Sequence, residues 1–165
     1  KLIGFIIILI GLVGTVFSIY KIYKLRKYRF EVMNDDSKIL SDLNSSISTN
    51  ASRESKENLV DEVIINYTGT IEFGTNWIKF FAAVAPLLGL LGTVIGMIET
   101  FQAITLFGTG DPKQMAGGIS QALVTTMLGL IVAAPLLGMY TYISEKTSSI
   151  VQVLDEKASY LLSRS

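Results

Sequence analysis

Residues 85–99, APLLGLLGTVIGMIE, decide the fold of this chain. The stretch is apolar enough for a membrane helix, yet it contains a proline, three glycines and a threonine. Lipid packs equally well against any apolar side chain, so a row of small residues is useful chiefly because it lets a second helix approach closely. The stretch therefore predicts a transmembrane helix that packs tightly against a neighbouring helix.

The composition of the whole chain is that of a membrane protein. Half of the 165 residues are hydrophobic, 17% are charged, and the mean hydropathy is +0.48. The 14 basic and 14 acidic residues balance, so no binding of nucleic acid is indicated. The chain has no cysteine, no histidine, no phosphate-binding loop and no nucleophile–base set. We therefore predict that it is not an enzyme and that it has no metal site and no cofactor.

Three uncharged stretches are long enough to cross a lipid bilayer. They cover residues 2–20, 80–98 and 114–144. At 1.5 Å per residue, the first two each extend about 28 Å, which matches a hydrocarbon core of roughly 30 Å. The third is about 46 Å long by the same rise and must tilt or project beyond the bilayer. The first could be a cleaved signal peptide, but its apolar core is too long and no small-residue cleavage site follows it.

The basic cluster KIYKLRKYR, residues 21–29, sets the predicted orientation because basic residues accumulate on the cytoplasmic side of membrane spans. The polar stretch after it shows the periodicity of two amphipathic helices joined near STNASRES, and the C-terminal tail shows the same periodicity. A short outer turn is marked by Gly108, Gly110, Asp111 and Pro112. The predicted order is transmembrane helix 1–23 with a periplasmic N-terminus, cytoplasmic helical region 24–76, transmembrane helix 77–107, periplasmic turn 108–113, transmembrane helix 114–144 and cytoplasmic tail 145–165.

The last two spans each carry a face of small and polar residues. With about 100° per residue, the small residues of the second span fall on one side of the helix. They are Ala85, Gly89, Gly92 and Gly96, with Thr93 at the edge. The corresponding face of the third span holds Gly118, Gln121, Ala122, Thr125, Thr126, Gly129 and Ala133. Both spans contain the pentamer APLLG, and Pro86 and Pro135 within it are predicted to kink the helices.

Two threonines are predicted to lie at a similar depth in the membrane. Thr93 falls about 21 Å and Thr126 about 28 Å from the inner boundary, if Lys79 and Glu145 mark that boundary. A membrane threonine usually bonds to a carbonyl of its own helix, but several polar groups at one helix contact also suit a path for water or ions. No ionisable residue lies deep in any span. A proton carrier would therefore need an acid from a partner protein.

The segments AAVAPLLGLLGTVIGMIETFQAI and MAGGISQALVTTMLGLIVAAPLLGMYTYIS resemble the ExbB, TolQ and MotA family of proton-channel stators, most closely its ExbB members. The resemblance implies a pentamer in the bacterial inner membrane around a central pore. That pore would hold the helices of an ExbD-like single-span partner whose aspartate carries the proton. It also implies that Thr93 and Thr126 face the pore, while Gln121 stands where some members have glutamate.

The resulting hypothesis is an all-α membrane protein with three transmembrane helices and cytoplasmic helical extensions. It would use the proton motive force to energise a TonB-like protein for import across the outer membrane. Two alternatives are a TolQ-like subunit for envelope maintenance and a non-conducting membrane scaffold. The predicted proton path comprises Thr93, Thr125, Thr126 and Gln121, and the other small residues of the two faces serve helix packing.

Overall fold

The computed structural model describes residues 2–33, 38–48, 52–108 and 112–163. Within these ranges the chain forms α-helices and no strand. The helices are α1 (Leu2–Met33), α2 (Lys38–Ile47), α3 (Arg53–Glu72), α4 (Thr75–Phe107) and α5 (Pro112–Ser163). Three stretches, in α1, α4 and α5, are long and apolar enough to cross a membrane. The predicted all-α fold with three long apolar helices is confirmed.

The long helices extend beyond the uncharged stretches. Helix α1 continues through the basic cluster to Met33, and α5 contains both the third predicted span and most of the predicted tail. Charged residues end an apolar stretch without ending a helix, because lysine, arginine and glutamate are good helix formers. Of the predicted outer turn, Gly110 and Asp111 lie outside the described residues, while Pro112 is the first residue of α5. Proline is favoured there because the first helical turn leaves its N–H groups unbonded.

The chain divides into two compact units. The first, which we call the apolar unit, comprises Lys1–Ser18 and Trp77–Tyr140. The second, the polar unit, comprises Ile19–Asn76 and Thr141–Ser165.

In the apolar unit, α1 packs against α5 through glycines. A Cβ atom added to Gly11 would lie 2.9 Å from Cγ1 of Val132, and one added to Gly14 would lie 2.9 Å from Cδ2 of Leu136. Ser18 is fully buried, and its hydroxyl donates to the carbonyl of Gly14 at 2.7 Å. The glycines therefore let branched side chains of α5 approach the backbone of α1.

Both prolines of the APLLG pentamers lie within helices. Pro86 is inside α4 and Pro135 is inside α5, and each helix is continuous through its proline. Each proline lacks the N–H that would bond to the carbonyl four residues earlier, so one carbonyl in each helix lacks its usual helical donor. The kinks remain predictions.

In the polar unit, α2 ends directly before STNASRES, and α3 begins within it at Arg53. The hydroxyl oxygen of Ser52 caps α3 by accepting from the N–H of Ser55 at 3.4 Å. Helix α3 ends at Glu72, and Gly74, two residues later, has a φ of 87° that only glycine adopts readily. The phenolic hydroxyl of Tyr67 in α3 donates to a carboxylate oxygen of Asp42 in α2 at 2.7 Å. Of the apolar residues on these amphipathic faces, five are buried, namely Ile39, Leu43, Val60, Ile150 and Leu154, whereas Leu59 is exposed.

Two lysines of the polar unit bind the C-terminal ends of helices. Lys21 is only 4% exposed, and its ammonium group donates to the carbonyls of Ile71, at 2.6 Å, and of Phe73. The ammonium group of Lys157 donates to the carbonyl of Val32 at 2.8 Å. The last carbonyls of a helix lack partners and carry partial negative charge, so these cations satisfy them.

Candidate functional site: a threonine cluster between two helices

Helices α4 and α5 touch backbone to backbone at two glycines. A Cβ atom added to Gly129 would lie 2.7 Å from the carbonyl oxygen of Ala85 and 3.1 Å from Cα of Gly89. One added to Gly89 would lie 3.0 Å from the carbonyl oxygen of Thr125. Such distances leave no room for a side chain at either glycine. The backbones of α4 and α5 are therefore in direct contact at this point.

Three hydroxyl groups meet beside this contact. The hydroxyls of Thr93 in α4 and Thr126 in α5 are hydrogen-bonded to each other. The hydroxyl of Thr126 is also within 3.0 Å of the carbonyl oxygen of Gly89, and that of Thr125 donates to the carbonyl of Ala122 at 2.6 Å. All three threonines are half-buried. We call Thr93, Thr125 and Thr126 the threonine cluster.

The carbonyl of Gly89 is an acceptor within reach of the whole cluster. Its oxygen lies 3.0 Å from the hydroxyl of Thr126, 3.3 Å from that of Thr93 and 3.4 Å from that of Thr125. A hydroxyl has one proton to donate and two lone pairs that accept. In the arrangement with the shortest bonds, Thr126 donates to Gly89 and Thr93 donates to Thr126. The oxygen of Thr93 can then accept a further hydrogen bond.

The other predicted packing residues lie along the same helix contact or are buried. A Cβ atom on Gly96 would lie 2.7 Å from Cβ of Ala122, and one on Gly92 would lie 2.8 Å from Cβ of Thr125. Gly118 faces the hydroxyl of Thr100. Ala85 is fully buried, and Ala133 is 8% exposed. The predicted glycines therefore lie where α4 and α5 approach each other. Their role in helix packing remains a prediction.

Gln121 is not part of the threonine cluster. Its side chain is exposed, and no described residue forms a hydrogen bond with its amide group. On the helical projection it lies about 140° from Thr126, so a contact centred on Ala122 and Gly129 leaves it outside. A place for Gln121 in a proton path remains a prediction.

Several contacts of the apolar unit were not predicted from the sequence. Thr100 is 8% exposed, and its hydroxyl donates to the carbonyl of Gly96 at 2.8 Å while facing Gly118 across the contact. The spacing of Gly11, Gly14 and Ser18 places small residues on one face of α1, and this signal could have indicated its contact with α5.

Aromatic residues mark the beginning of α4. The rings of Trp77, Phe80 and Phe81 contact each other, with centroids 5.9 to 6.3 Å apart. The ammonium group of Lys79 lies 5.8 Å from the ring centroid of Tyr140. Aromatic rings and lysines are typical of the boundary between lipid and water. The aromatic and basic side chains near Lys79 are therefore typical of the inner membrane boundary. The predicted depth of Thr93 was measured from that boundary.

The threonine cluster consists of neutral groups. Uncharged hydroxyls can orient an acid or bridge to water, but they cannot hold a proton as a titrating group does. Within the ranges that the structure describes, no group of three His, Cys, Asp or Glu side chains is placed to hold a metal ion. The threonine cluster is therefore suited to hydrogen bonding at a helix contact.

The fold and the site define a helical membrane protein with a polar hydroxyl cluster between two closely packed helices. The chain belongs to the MotA/TolQ/ExbB proton channel family, whose family model matches residues 31–156.

Individual relatives support the same family. The chain is 37% identical over 103 residues to an ExbB homolog of Methanothermobacter thermautotrophicus, which covers 62% of this chain and 36% of the relative. It is 40% identical over 63 residues to biopolymer transport protein exbB1 of Vibrio cholerae, covering 38% of this chain and 28% of the relative. It is 30% identical over 89 residues to biopolymer transport protein ExbB of Salmonella typhimurium, covering 54% and 36%. The chain thus spans about a third of the length of these relatives.

Proposed function

We propose that this chain is a proton-conducting subunit of an ExbB–ExbD-like motor in the bacterial inner membrane. Five copies would surround the helices of an ExbD-like single-span partner that carries an aspartate. Proton flow would then energise a TonB-like protein for import across the outer membrane. The N-terminus would be periplasmic and the C-terminus cytoplasmic. Membership of the proton channel family and the three long apolar helices support this proposal.

The observation that carries the proposal is the hydrogen-bonded pair of Thr93 and Thr126, which is half-buried. A neutral carboxylic acid on a partner helix would donate to the oxygen of Thr93. An ionised carboxylate would accept from the Thr93 hydroxyl after that hydroxyl rotates. Thr126 keeps its 3.0 Å bond to Gly89 in both cases. The cluster can therefore hydrogen-bond both protonation states of a partner acid.

Rotation of the Thr93 hydroxyl does not require a buried group to lose its only partner. Besides Thr126, the carbonyl oxygens of Gly89 and Ala122 each lie 3.3 Å from the Thr93 hydroxyl. A donor that has several acceptors within reach can change partner at low cost, because no step leaves it unsatisfied. This is the property that a group beside a titrating acid needs.

The experiment removes one hydroxyl at a time. Thr93→Val and Thr126→Val keep the branched shape, and Thr105→Val is the matched control because its exposed hydroxyl bonds only to Phe101 of its own helix, at 2.8 Å. The complex with its partner is reconstituted in liposomes, and proton flux is followed with a pH-sensitive dye. We expect Thr93→Val to lose about tenfold in flux, the equivalent of one hydrogen bond to a charged group. Thr126→Val should lose less, because it removes only the neutral partner of the Thr93 hydroxyl, while Thr105→Val retains full flux.

A non-conducting scaffold is the second candidate. It is favoured by the fact that each hydroxyl of the cluster has an acceptor within α4 and α5. If the complex assembles normally and both cluster variants conduct like Thr105→Val, the scaffold is correct and the proton path is wrong. Purification of the complex with a TonB-like or a TolA-like protein would separate the import function from envelope maintenance.

A further inference from the structure

A groove with basic and apolar walls lies in the polar unit between α1 and α5. Its volume is about 530 Å³. On the basic side it is lined by Arg26 and Arg29 of α1 and Lys146 of α5. Phe30, Met33 and Tyr142 are among its apolar and aromatic lining residues. We call this cavity the basic groove.

Among the residues that the structure describes, none forms an ion pair with the basic side chains that line the groove. None of its described lining residues is acidic. Within the described part of the chain, no carboxylate lies within ion-pair distance of Arg26 or Arg29. Lys146 stacks on the ring of Tyr142, with 5.7 Å between its ammonium nitrogen and the ring centroid. Two guanidinium groups and an ammonium group thus converge on one cavity, which favours an anionic occupant.

The other basic residues of the same cluster do not line the groove. Lys27 pairs with Glu31 at 3.9 Å, four residues along the helix. The ammonium nitrogen of Lys24 lies 5.7 Å from the ring centroid of Tyr28. A general excess of positive charge would orient the protein in the membrane whichever helix face carried it. The grouping of the two arginines on the groove face therefore needs a separate explanation.

The sequence places the groove at the edge of the membrane. Its lining begins at Ile22, two residues after the uncharged stretch 2–20, and at Tyr142, close to the end of the uncharged stretch 114–144. Lipid headgroups are concentrated at this level, and acyl chains lie beside the preceding helix turns.

We propose that the basic groove binds an anionic phospholipid. The phosphate would be held by Arg26, Arg29 and Lys146, and the glycerol and upper acyl chain would lie against Ile22 and Tyr142, the apolar and aromatic lining nearest the uncharged stretches. A small soluble anion would leave that apolar lining exposed to water. An acidic amphipathic peptide would match the charge, but it would have to compete with lipid that is already present at the membrane surface.

The test compares two double variants of the full-length protein in its membrane complex. Arg26→Gln/Arg29→Gln removes two charges from the groove, and Lys24→Gln/Lys27→Gln removes two charges from other faces of the same helix. Each protein is incorporated into phosphatidylcholine nanodiscs with 10 mol% phosphatidylglycerol, then released into mild detergent. Native mass spectrometry counts the lipids that remain bound. Size-exclusion chromatography checks that both variants assemble.

We expect the natural protein and the lysine variant to retain phosphatidylglycerol in preference to phosphatidylcholine. The arginine variant should retain at least tenfold less, because each lost hydrogen bond between a guanidinium group and the phosphate is worth roughly a factor of ten. Equal losses in both variants would show a diffuse surface effect and overturn the proposal. So would equal retention of the two lipids by the natural protein. Binding of an acidic amphipathic peptide that phosphatidylglycerol cannot displace would assign the groove to a protein partner instead.

Discussion

Replacement of Gly129 by alanine tests the helix contact on which the candidate site is built. The new Cβ atom would lie 2.7 Å from the carbonyl oxygen of Ala85, whereas ordinary contacts begin at 3.4 Å. Since its neighbours in α4 are backbone atoms, the two helices must separate by about 0.7 Å at this point. Overpacking of this kind costs about 1–3 kcal/mol.

The same displacement would disturb the threonine cluster. The hydroxyl of Thr126 bonds to the carbonyl of Gly89 at 3.0 Å. A separation of about 0.7 Å would lengthen that bond beyond the range of a hydrogen bond. Gly129→Ala should therefore lower both the stability of the complex and its proton flux.

Two glycines of the same helix provide matched controls. Neither Gly117 nor Gly138 has any atom within 4 Å of an added Cβ. Alanine at these positions should be neutral or stabilising by up to about 1 kcal/mol, because alanine favours the helix. Thermal unfolding in detergent, with the assembly state checked by chromatography, measures the difference. If Gly129→Ala is as stable as Gly138→Ala, α4 and α5 do not approach as closely as described.

Two further predictions concern the polar unit. Lys21→Met removes the buried ammonium group from the carbonyls of Ile71 and Phe73. The free energy of opening the last turn of α3 should fall by about 2 kcal/mol, so its amide hydrogens should exchange faster. The control Lys24→Met should leave that exchange unchanged, and slow exchange in both would contradict the capping role. Burial, assisted by the hydrogen bond to Asp42, raises the pKa of Tyr67 to about 12 from an ordinary 10.0. The folded state thus favours the protonated phenol of Tyr67. The stabilisation from this phenol is complete below pH 10 and is lost as the pH rises to about 12. Tyr67→Phe should flatten this decline in thermal stability while Tyr23→Phe, at an exposed position, does not; equal curves for all three proteins would refute it.

The sequence predicts the long helices well because their signal is local. Nineteen or more uncharged residues can hardly form anything but a membrane helix. The faces of small residues on α4 and α5 were also predictable, because glycines such as Gly89 and Gly129 are useful in lipid chiefly for close helix packing. The ends of the helices were harder to predict from the sequence. The charged residues after Ser144 end the apolar stretch, whereas α5 continues to Ser163 because those residues also favour a helix.

Contacts between distant segments were harder to predict. The basic cluster indicates which side of the membrane Lys21 faces, but its binding to the end of α3 depends on a contact about 50 residues away. Gln121 shares a broad face with Thr126, and only the centre of the helix contact decides that one is exposed and the other half-buried. The positions of small and polar residues in one sequence show how wide such a face is. They do not show which part of it contacts the neighbouring helix.

The account rests on the claim that Thr93 lies beside an acid of a partner helix. The chain has no cysteine, so single-cysteine variants can be cross-linked without background. Thr93→Cys is combined with a partner in which cysteine replaces the membrane aspartate, and disulfide formation is measured on non-reducing gels, with Thr105→Cys as control. We predict a cross-linked heterodimer for Thr93→Cys and none for Thr105→Cys. The reverse pattern, or no cross-link at position 93 in a complex that still assembles, would contradict the account.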